Sequence, residues 1–305
     1  MSDNSIISVG DTYRLYGSEV KTHSDLPVGT YEIQFNPMAG YSLEKVDDLT
    51  AVGERVYGNR QVKADKIIRS YKHMDRNLGV MLSGDKGQGK SLFVRMLADA
   101  ARADDMPVIK VTKATPGIAD FIDSLGECLV IFDEFEKVFR KSSSYDDEDN
   151  SSNSQDQFLS VFDGTSSVNR IYCITFNNMY GVSNYMLNRP GRFHYHLRFD
   201  YPTVDEIETY LIENVEGITT QQIKDVVRFS LRTSINYDHL RAISFEFKTH
   251  ENGTRLGDFI DDLNIYISID KKELPAELRY DTETKIQAAQ IPDDAKFKYF
   301  MISWD

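Results

Sequence analysis

The chain has 305 residues, 41% of them hydrophobic and 27% charged, which suits one large globular domain or two to three smaller ones with a sizeable core. Its formal net charge of −13 and pI of about 5.0 work against bulk association with nucleic acid or an anionic membrane. No apolar run approaches the roughly 20 residues that span a bilayer.

The first residues, MSDNSIISVGDTYRLYG, lack a basic region followed by an apolar stretch, so no secretory leader is expected here and the expected location is cytoplasmic. TYRLYGS and GTYEIQFNP are short, Tyr-rich and flanked by Pro-Gly turn signals, and they predict a small β-rich N-terminal module over residues 1–52. A charged helix follows over 60–76. Next come an apolar strand at 78–82, a Gly-rich loop, and a helix from Gly89 to about Ala103, where Leu92, Phe93, Met96, Leu97, Ala100 and Ala101 keep helical spacing. Apolar runs at 107–112, 128–132 and 170–175 lack alternation, as strands buried on both faces do. Strands alternating with helices predict an α/β fold with a parallel sheet over 53–201. Cys128 and Cys173 both fall inside these runs, which fits a reducing compartment better than a disulfide framework. Residues 142–156, SSSYDDEDNSSNSQD, have the composition of a solvated loop.

From Thr203 the pattern turns helical. Thr203-Val204-Asp205-Glu206 and Thr219-Thr220-Gln221-Gln222 each fit a capping box that opens a helix. A further helical stretch, YDHLRAISFEF, precedes another at about 254–263. Together they predict a small helical lid over 202–263, with a β-like C-terminal extension over 264–305.

Two stretches carry chemistry. In Gly84-Asp85-Lys86-Gly87-Gln88-Gly89-Lys90-Ser91-Leu92 the glycines let successive backbone N–H groups converge on phosphate oxygens, and the following helix adds the positive end of its dipole. Lys90 would reach the β- and γ-phosphates and Ser91 would ligate Mg²⁺. The second stretch, Cys128-Leu129-Val130-Ile131-Phe132-Asp133-Glu134, is an apolar strand ending in two carboxylates. Asp133 would hold Mg²⁺, mainly through water, and Glu134 would orient and deprotonate an attacking water.

Four motifs in this order resemble the AAA subgroup of AAA+ ATPases: the phosphate loop, the acidic strand end, an asparagine after the strand at 170–175, and Arg189-Pro190-Gly191-Arg192-Phe193; the segment from Leu159 to Asp163-Gly164 resembles the family's helix ending in Asp-Gly. The resemblance covers roughly residues 55–263. It implies a P-loop α/β core followed by a helical lid, with ATP and Mg²⁺ as ligands. Asn178, or its neighbour Asn177, corresponds to the sensor 1 polar residue; Asn178 aligns without a gap to the arginines 11 and 14 residues downstream. Arg189 and Arg192 match arginine fingers that reach a neighbouring subunit's γ-phosphate. The resemblance also implies a homo-oligomeric ring, usually a hexamer, which hydrolyses ATP at its subunit interfaces to remodel, assemble or disassemble a protein partner. A nucleic-acid motor or loader and an ATP-regulated scaffold with low turnover are the alternatives. Acidity and the lack of a basic, aromatic-interleaved stretch weigh against nucleic acid, and Glu134 with the two arginines weighs against the scaffold.

The sequence departs from the family in two places. No aromatic-hydrophobic-Gly pore loop follows the strand at 107–112; the first aromatic, Phe121, reads as a helix core residue. Asp85-Lys86 stands where the subgroup often has Pro-Pro, which makes the loop's outer rim more polar. Arg241 fits either a sensor 2-like contact or lid packing. His194 and His196 share a strand face without an evident third metal ligand, and Val56-Tyr57-Gly58 marks where the family approaches the base.

Overall fold

The structure is a computed structural model that describes residues 5–9, 11–17, 20–53, 56–138, 162, 168–177, 190–250 and 253–265. The solvated stretch 142–156 and nearly all of the C-terminal extension, from 266 onward, lie outside these residues.

Among the described residues, strands β1 (Ser5–Val9) and β2 (Thr12–Tyr16) pair only with each other, antiparallel, with Ile6 opposite Leu15. The other seven strands among the described residues form one sheet. They are β3 (Thr30–Asn36), β4 (Gly40–Val46), β5 (Leu78–Ser83), β6 (Val108–Val111), β7 (Leu129–Phe132), β8 (Ile171–Phe176) and β9 (Phe193–Arg198), in the order β4-β3-β6-β7-β8-β5-β9. β3, β6, β7 and β8 run parallel, and β4 is antiparallel to β3 at one edge. Every residue of β5, β7 and β8 is buried, as their unbroken apolar runs require in the middle of a parallel sheet. Helices α1 (Arg60–Tyr71), α2 (Lys90–Arg102), α3 (Ile118–Ser124) and α4 (Phe135–Val138) alternate with the strands, giving a mixed α/β architecture.

The Tyr-rich N-terminal stretch therefore divides. β1 and β2 form their own hairpin, whereas β3 continues the main sheet, with Thr30 opposite Val108 and Tyr31 opposite Ile109. Arg102, at the end of α2, fastens this region by donating to Thr30 Oγ1 (3.0 Å), the Leu49 carbonyl (2.6 Å) and Asp99 (2.6 Å). Phe121 lies on α3, where its ring stacks on Tyr41 of β4 (4.9 Å).

By compactness the chain falls into two units. One comprises Met1–Val52, Val62–Met81 and Phe93–His196; the other comprises Gly53–Gln61, Leu82–Leu92 and Leu197–Asp305. The first has a core of sheet residues and aromatics, among them Phe132, Phe135, Phe162, Tyr172, Phe176 and Phe193. Cys128 and Cys173 are buried free thiols, and burial pushes both thiol pKa values up. Among the described residues, no helix is long and apolar enough to cross a membrane.

The second unit is helical: α5 (Val204–Asn214), α6 (Thr220–Ser230) and α7 (Tyr237–Thr249). Both predicted capping boxes are formed, Thr203 with Glu206 and Thr219 with Gln222. The stretch expected as a helix at 254–263 is instead two 3₁₀ turns, Leu256–Asp258 and Ile260–Asp262. Phe259 separates them with φ −140°, outside the helical region, and its buried ring packs edge-on against Phe247 (5.0 Å). Packing of that ring prevails over the local helical pattern.

One buried charge offers a test of the first unit. Arg170 is fully buried before β8; it donates to the carbonyls of Asp123 (2.9 Å), Leu125 and Val168 (3.2 Å) and meets the Asp123 carboxylate at 3.5 Å. Arg170→Leu would strand those acceptors, so chemical denaturation should show a loss of about 3–5 kcal/mol.

Candidate phosphate loop and carboxylate cluster

β5 delivers the chain into residues 84–89, and α2 takes it away at Lys90. Gly84, Gly87 and Gly89 have φ of 148°, 77° and 90°, a region that side-chain-bearing residues rarely adopt. The loop is also crowded from behind. A Cβ on Gly84 would run into the Phe199 carbonyl, and one on Gly89 into the Arg60 guanidinium. Lys90 is 7% exposed, and its ammonium donates to the carbonyls of Gly84 (2.5 Å) and Asp85 (2.8 Å). The ammonium thereby engages the negative ends of two loop peptides. Together with the N-terminus of a 13-residue helix, this gives residues 84–91 the features an anion site needs. Ser91 is exposed, Leu92 half-buried and Gln88 buried.

Three hydrogen bonds attach the loop's rim to residues of the same unit. Tyr201 Oη donates to Asp85 Oδ2 (2.7 Å), Asn236 Nδ2 to the Lys86 carbonyl (3.0 Å), and the Tyr237 N–H to the Gly87 carbonyl (3.2 Å). The Tyr201 phenol is pushed above its ordinary pKa, first by its bond to Asp85 and then by burial. Asn236 caps α7 in a box with His239: its side chain accepts the His239 N–H, while its own N–H is donated to His239 Nδ1 (3.2 Å).

In the other unit, β7 ends at Asp133-Glu134. Thr175, on β8, donates its hydroxyl to Asp133 Oδ1 (2.7 Å) and accepts the Glu134 N–H (2.7 Å). That bond accompanies a left-handed Glu134 backbone, φ 51°. Asn177 Nδ2 donates to Glu134 Oε1 (2.9 Å), and the Asn177 N–H donates to Glu136 Oε1 (2.9 Å). Two donor residues from the end of β8 thus organise three carboxylates. An oriented, half-buried glutamate beside a carboxamide is suited to holding and deprotonating a water.

Residues 80–201 match the family described as "ATPase family associated with various cellular activities (AAA)". Over 145 residues, 44% of the chain, the sequence is 28% identical to an ATP-dependent zinc metalloprotease FtsH of Mycoplasmoides gallisepticum (strain R(high / passage 156)). Over 138 residues, 40% of the chain, it is 25% identical to a putative cell division cycle ATPase of Plasmodium falciparum (isolate 3D7). Over residues 80–201 the chain belongs to the AAA+ ATPase superfamily. These matches span only 19% and 11% of the two relatives' own lengths. A chain in the solved structure described as "Structure of E. coli MS115-1 HORMA:CdnC:Trip13 complex" is similar in fold, with a TM-score of 0.54 at 13% identity. That likeness covers 71% of this chain and 92% of the other.

Several expected site residues of this AAA+ chain can now be placed. Asp133 and Glu134 lie together at the end of β7, and residues 84–92 surround the start of α2. Arg192 is half-buried, and its carbonyl packs where a Cβ on Gly79 would lie. Asn178 and Arg189 lie outside the described residues; the asparagine placed against Glu134 is Asn177. Arg241 is exposed, and its charge opposes the burial that raises the Tyr210 phenol above its ordinary pKa. Tyr57 is buried in the second unit, its hydroxyl accepting from Asn214 (2.8 Å) and its ring against Tyr210 and Tyr237. Among the described residues no cluster of three potential metal ligands forms, at His194 and His196 or elsewhere.

Sequence reasoning missed Thr175, Glu136, Arg60, Tyr201 and Asn236 as parts of these arrangements. For Thr175 and Asn177 a signal existed: they alternate with Ile174 and Phe176, which puts two polar residues on one face at the end of an apolar strand.

The capping box gives the rim a pH dependence. Burial lowers the His239 pKa below 6.5, with Asp238 opposing, and its Nδ1 must stay unprotonated to accept the Asn236 N–H. Below pH 6.5 the unfolded chain takes up a proton that the folded histidine resists, so stability falls as pH falls through that window and is unaffected above it. In His239→Gln, whose carboxamide can keep the box, the loss of thermal midpoint on acidification below pH 6.5 should be smaller than in wild type.

Proposed function

We propose that this protein is a ring-forming AAA+ ATPase that hydrolyses ATP at subunit interfaces and uses the energy to remodel, assemble or disassemble a protein partner. The observation that carries the reading is the carboxylate cluster. A glutamate at the end of a buried strand, aimed by Asn177 and anchored through Thr175, is the apparatus of a hydrolase rather than of a binding module. In the second unit, residues 84–91 would supply what a nucleotide's phosphates require, with Lys90 as the fixed cation.

Mg²⁺ suits the oxygen donors of Ser91 and Asp133, the latter through water, and when bound it would offset charge on the β- and γ-phosphates. Glu134 accepts the proton of the attacking water, and Asn177, or Asn178 as the ungapped alignment has it, orients that water or the γ-phosphate. Arg189 and Arg192 act in trans on the neighbour's nucleotide, so the active form is a homo-oligomer, most simply a hexamer. A protein partner is favoured by the net charge of −13, which repels nucleic acid, and by relatives whose names describe an ATP-dependent protease and a cell-division ATPase. The fold neighbour in a HORMA:CdnC:Trip13 complex supports the same direction. Two buried free thiols suit a cytoplasmic setting.

Glu134→Gln should lower the ATP turnover rate by about 10²–10⁴-fold while leaving ATP binding intact, and in ATP it should retain the partner during affinity capture. Turnover equal to wild type would remove Glu134 as the base. In mixtures of Lys90→Ala and Arg189→Ala subunits, each inactive alone, composite interfaces should recover measurable ATP turnover. Co-assembly with no recovery at any ratio would show that the arginine does not act in trans.

A further inference from the structure

The three left-handed glycines of the phosphate loop are backed by Phe199, by the start of α7 and by Arg60, and the Arg60 cation lies against both Phe199 and Tyr237 of α7. Behind Gly84 lies Phe199: a Cβ there would strike its carbonyl, and the Phe199 N–H donates to Ser83 (2.7 Å), the residue before the loop. Behind Gly87 lies the start of α7. A Cβ there would come within 2.5 Å of Asn236 Nδ2, and the Tyr237 N–H donates to the Gly87 carbonyl. Behind Gly89 lies Arg60, whose Nη1 occupies the space a side chain would need. The Arg60 guanidinium also lies over the Phe199 ring (5.3 Å) and the Tyr237 ring (5.0 Å).

Helix stability does not account for Arg60. It is the first residue of α1, whose first turn has no acidic residue, and a cation at a helix N-terminus opposes the macrodipole. Its placement is explained by the partners that it reaches: two aromatic faces and the Cα of Gly89. Phe199 is buried, and Arg60 is half-buried, so the attraction of cation for ring is only partly screened by water. Burial raises the Tyr237 phenol to about 12, Arg60 opposing; the ring is neutral at any physiological pH.

We infer that Arg60, seated on the rings of Phe199 and Tyr237, is a positioning residue that holds the three glycine turns of the phosphate loop in register and so sets nucleotide affinity. The inference rests on the reading of residues 84–91 as a nucleotide cradle. Gly89 immediately precedes Lys90, and a guanidinium packed on its Cα limits how far that turn can relax. The same cation couples the turn to α7 through Tyr237 and to the start of the loop through Phe199. Loss of the cation leaves every phosphate-facing group present but less fixed, which weakens binding without removing a contact.

The experiment is an equilibrium titration of the full chain with N-methylanthraniloyl ADP and ATP in Mg²⁺, for wild type, Arg60→Lys, Arg60→Met, Phe199→Leu and Lys90→Ala. Thermal unfolding without nucleotide accompanies each variant. Arg60→Met should weaken both nucleotides alike by about tenfold, the scale of a partly desolvated cation–π clamp. Arg60→Lys should recover part of the loss, because an ammonium keeps the charge over the rings but not the planar contact with Gly89. Phe199→Leu, which fills the same space without a π face, should weaken both nucleotides in the same direction, and the nucleotide-free midpoints should stay within about 2 °C of wild type. If Arg60→Met and Phe199→Leu bind like wild type while Lys90→Ala loses affinity, the cradle stands and the positioning role is wrong. Weakening of ATP alone would make Arg60 a direct contact of the terminal phosphate and overturn the role proposed. A midpoint that falls in step with affinity, without recovery by lysine, would reduce Arg60 to a packing residue. If wild type and Lys90→Ala bind equally poorly, the cradle reading itself fails, and the role of Arg60 with it.

Discussion

A backbone that presents its N–H groups to an anion must turn its carbonyls away, and a chain of L-residues does so only through left-handed turns. Residues 84–89 meet that constraint with glycine at φ 148°, 77° and 90°. Glycines that fold into one conformation lose more freedom than any other residue, so such a loop has no shape of its own and must take it from what surrounds it. The entry is fixed by β5, buried along its whole length, and the exit by α2, which buries Phe93, Met96 and Leu97 completely. Between these anchors, Lys90 reaches back to the first two carbonyls of the loop, so the residue with the right charge for phosphate also closes the turn that would receive it.

The carboxylate end of β7 faces the opposite difficulty. Asp133, Glu134 and Glu136 place three acids within four positions of sequence, and unit charges at close range near a protein surface repel by about 4 kcal/mol. Donors from the end of β8 offset this. The Thr175 hydroxyl serves Asp133, the Asn177 carboxamide serves Glu134, and the Asn177 N–H serves Glu136. Because Thr175 also accepts the Glu134 N–H, the strained backbone at φ 51° is compensated by the residue that holds the neighbouring acid. The glutamate is therefore oriented by the end of β8, so the role proposed for it as a base would depend on a strand some 40 positions away in sequence.

What the sequence made legible is what it specifies locally. The phosphate loop, the acidic pair and the boxes at Thr203 and Thr219 are each written within a few residues, so the pattern can be recognised without the distant groups that hold it in place. The partner of β3 was not legible. A Tyr-rich, half-alternating strand reads as one member of a local hairpin, and nothing in it announces pairing with Val108 and Ile109. Asn177 and Asn178 are adjacent, so alignment favoured one and strand alternation the other, and only the position of Glu134 relates Asn177 to an acid. Phe259 interrupts a helical pattern because the core takes its ring, a demand of packing that periodicity does not express.

Asp85-Lys86, where related loops often carry Pro-Pro, gains a physical meaning from its attachments. A proline rim offers no side-chain acceptor, whereas Asp85 receives the Tyr201 hydroxyl. With Asn236 on the Lys86 carbonyl and the Tyr237 N–H on the Gly87 carbonyl, the outer face of the loop is held by three hydrogen bonds. Each contributes about 1 kcal/mol net, and because Asp85 and Lys86 are exposed, water can take the place of a broken bond at little cost. The back of the loop differs, since Phe199 and Arg60 fill the space behind Gly84 and Gly89 with groups that water cannot replace. A loop fixed behind and releasable at its rim can keep its anion-binding shape while the contacts of α7 with that rim form and break. That division of rigidity would suit the proposed turnover, in which the loop must hold first a triphosphate and then a diphosphate.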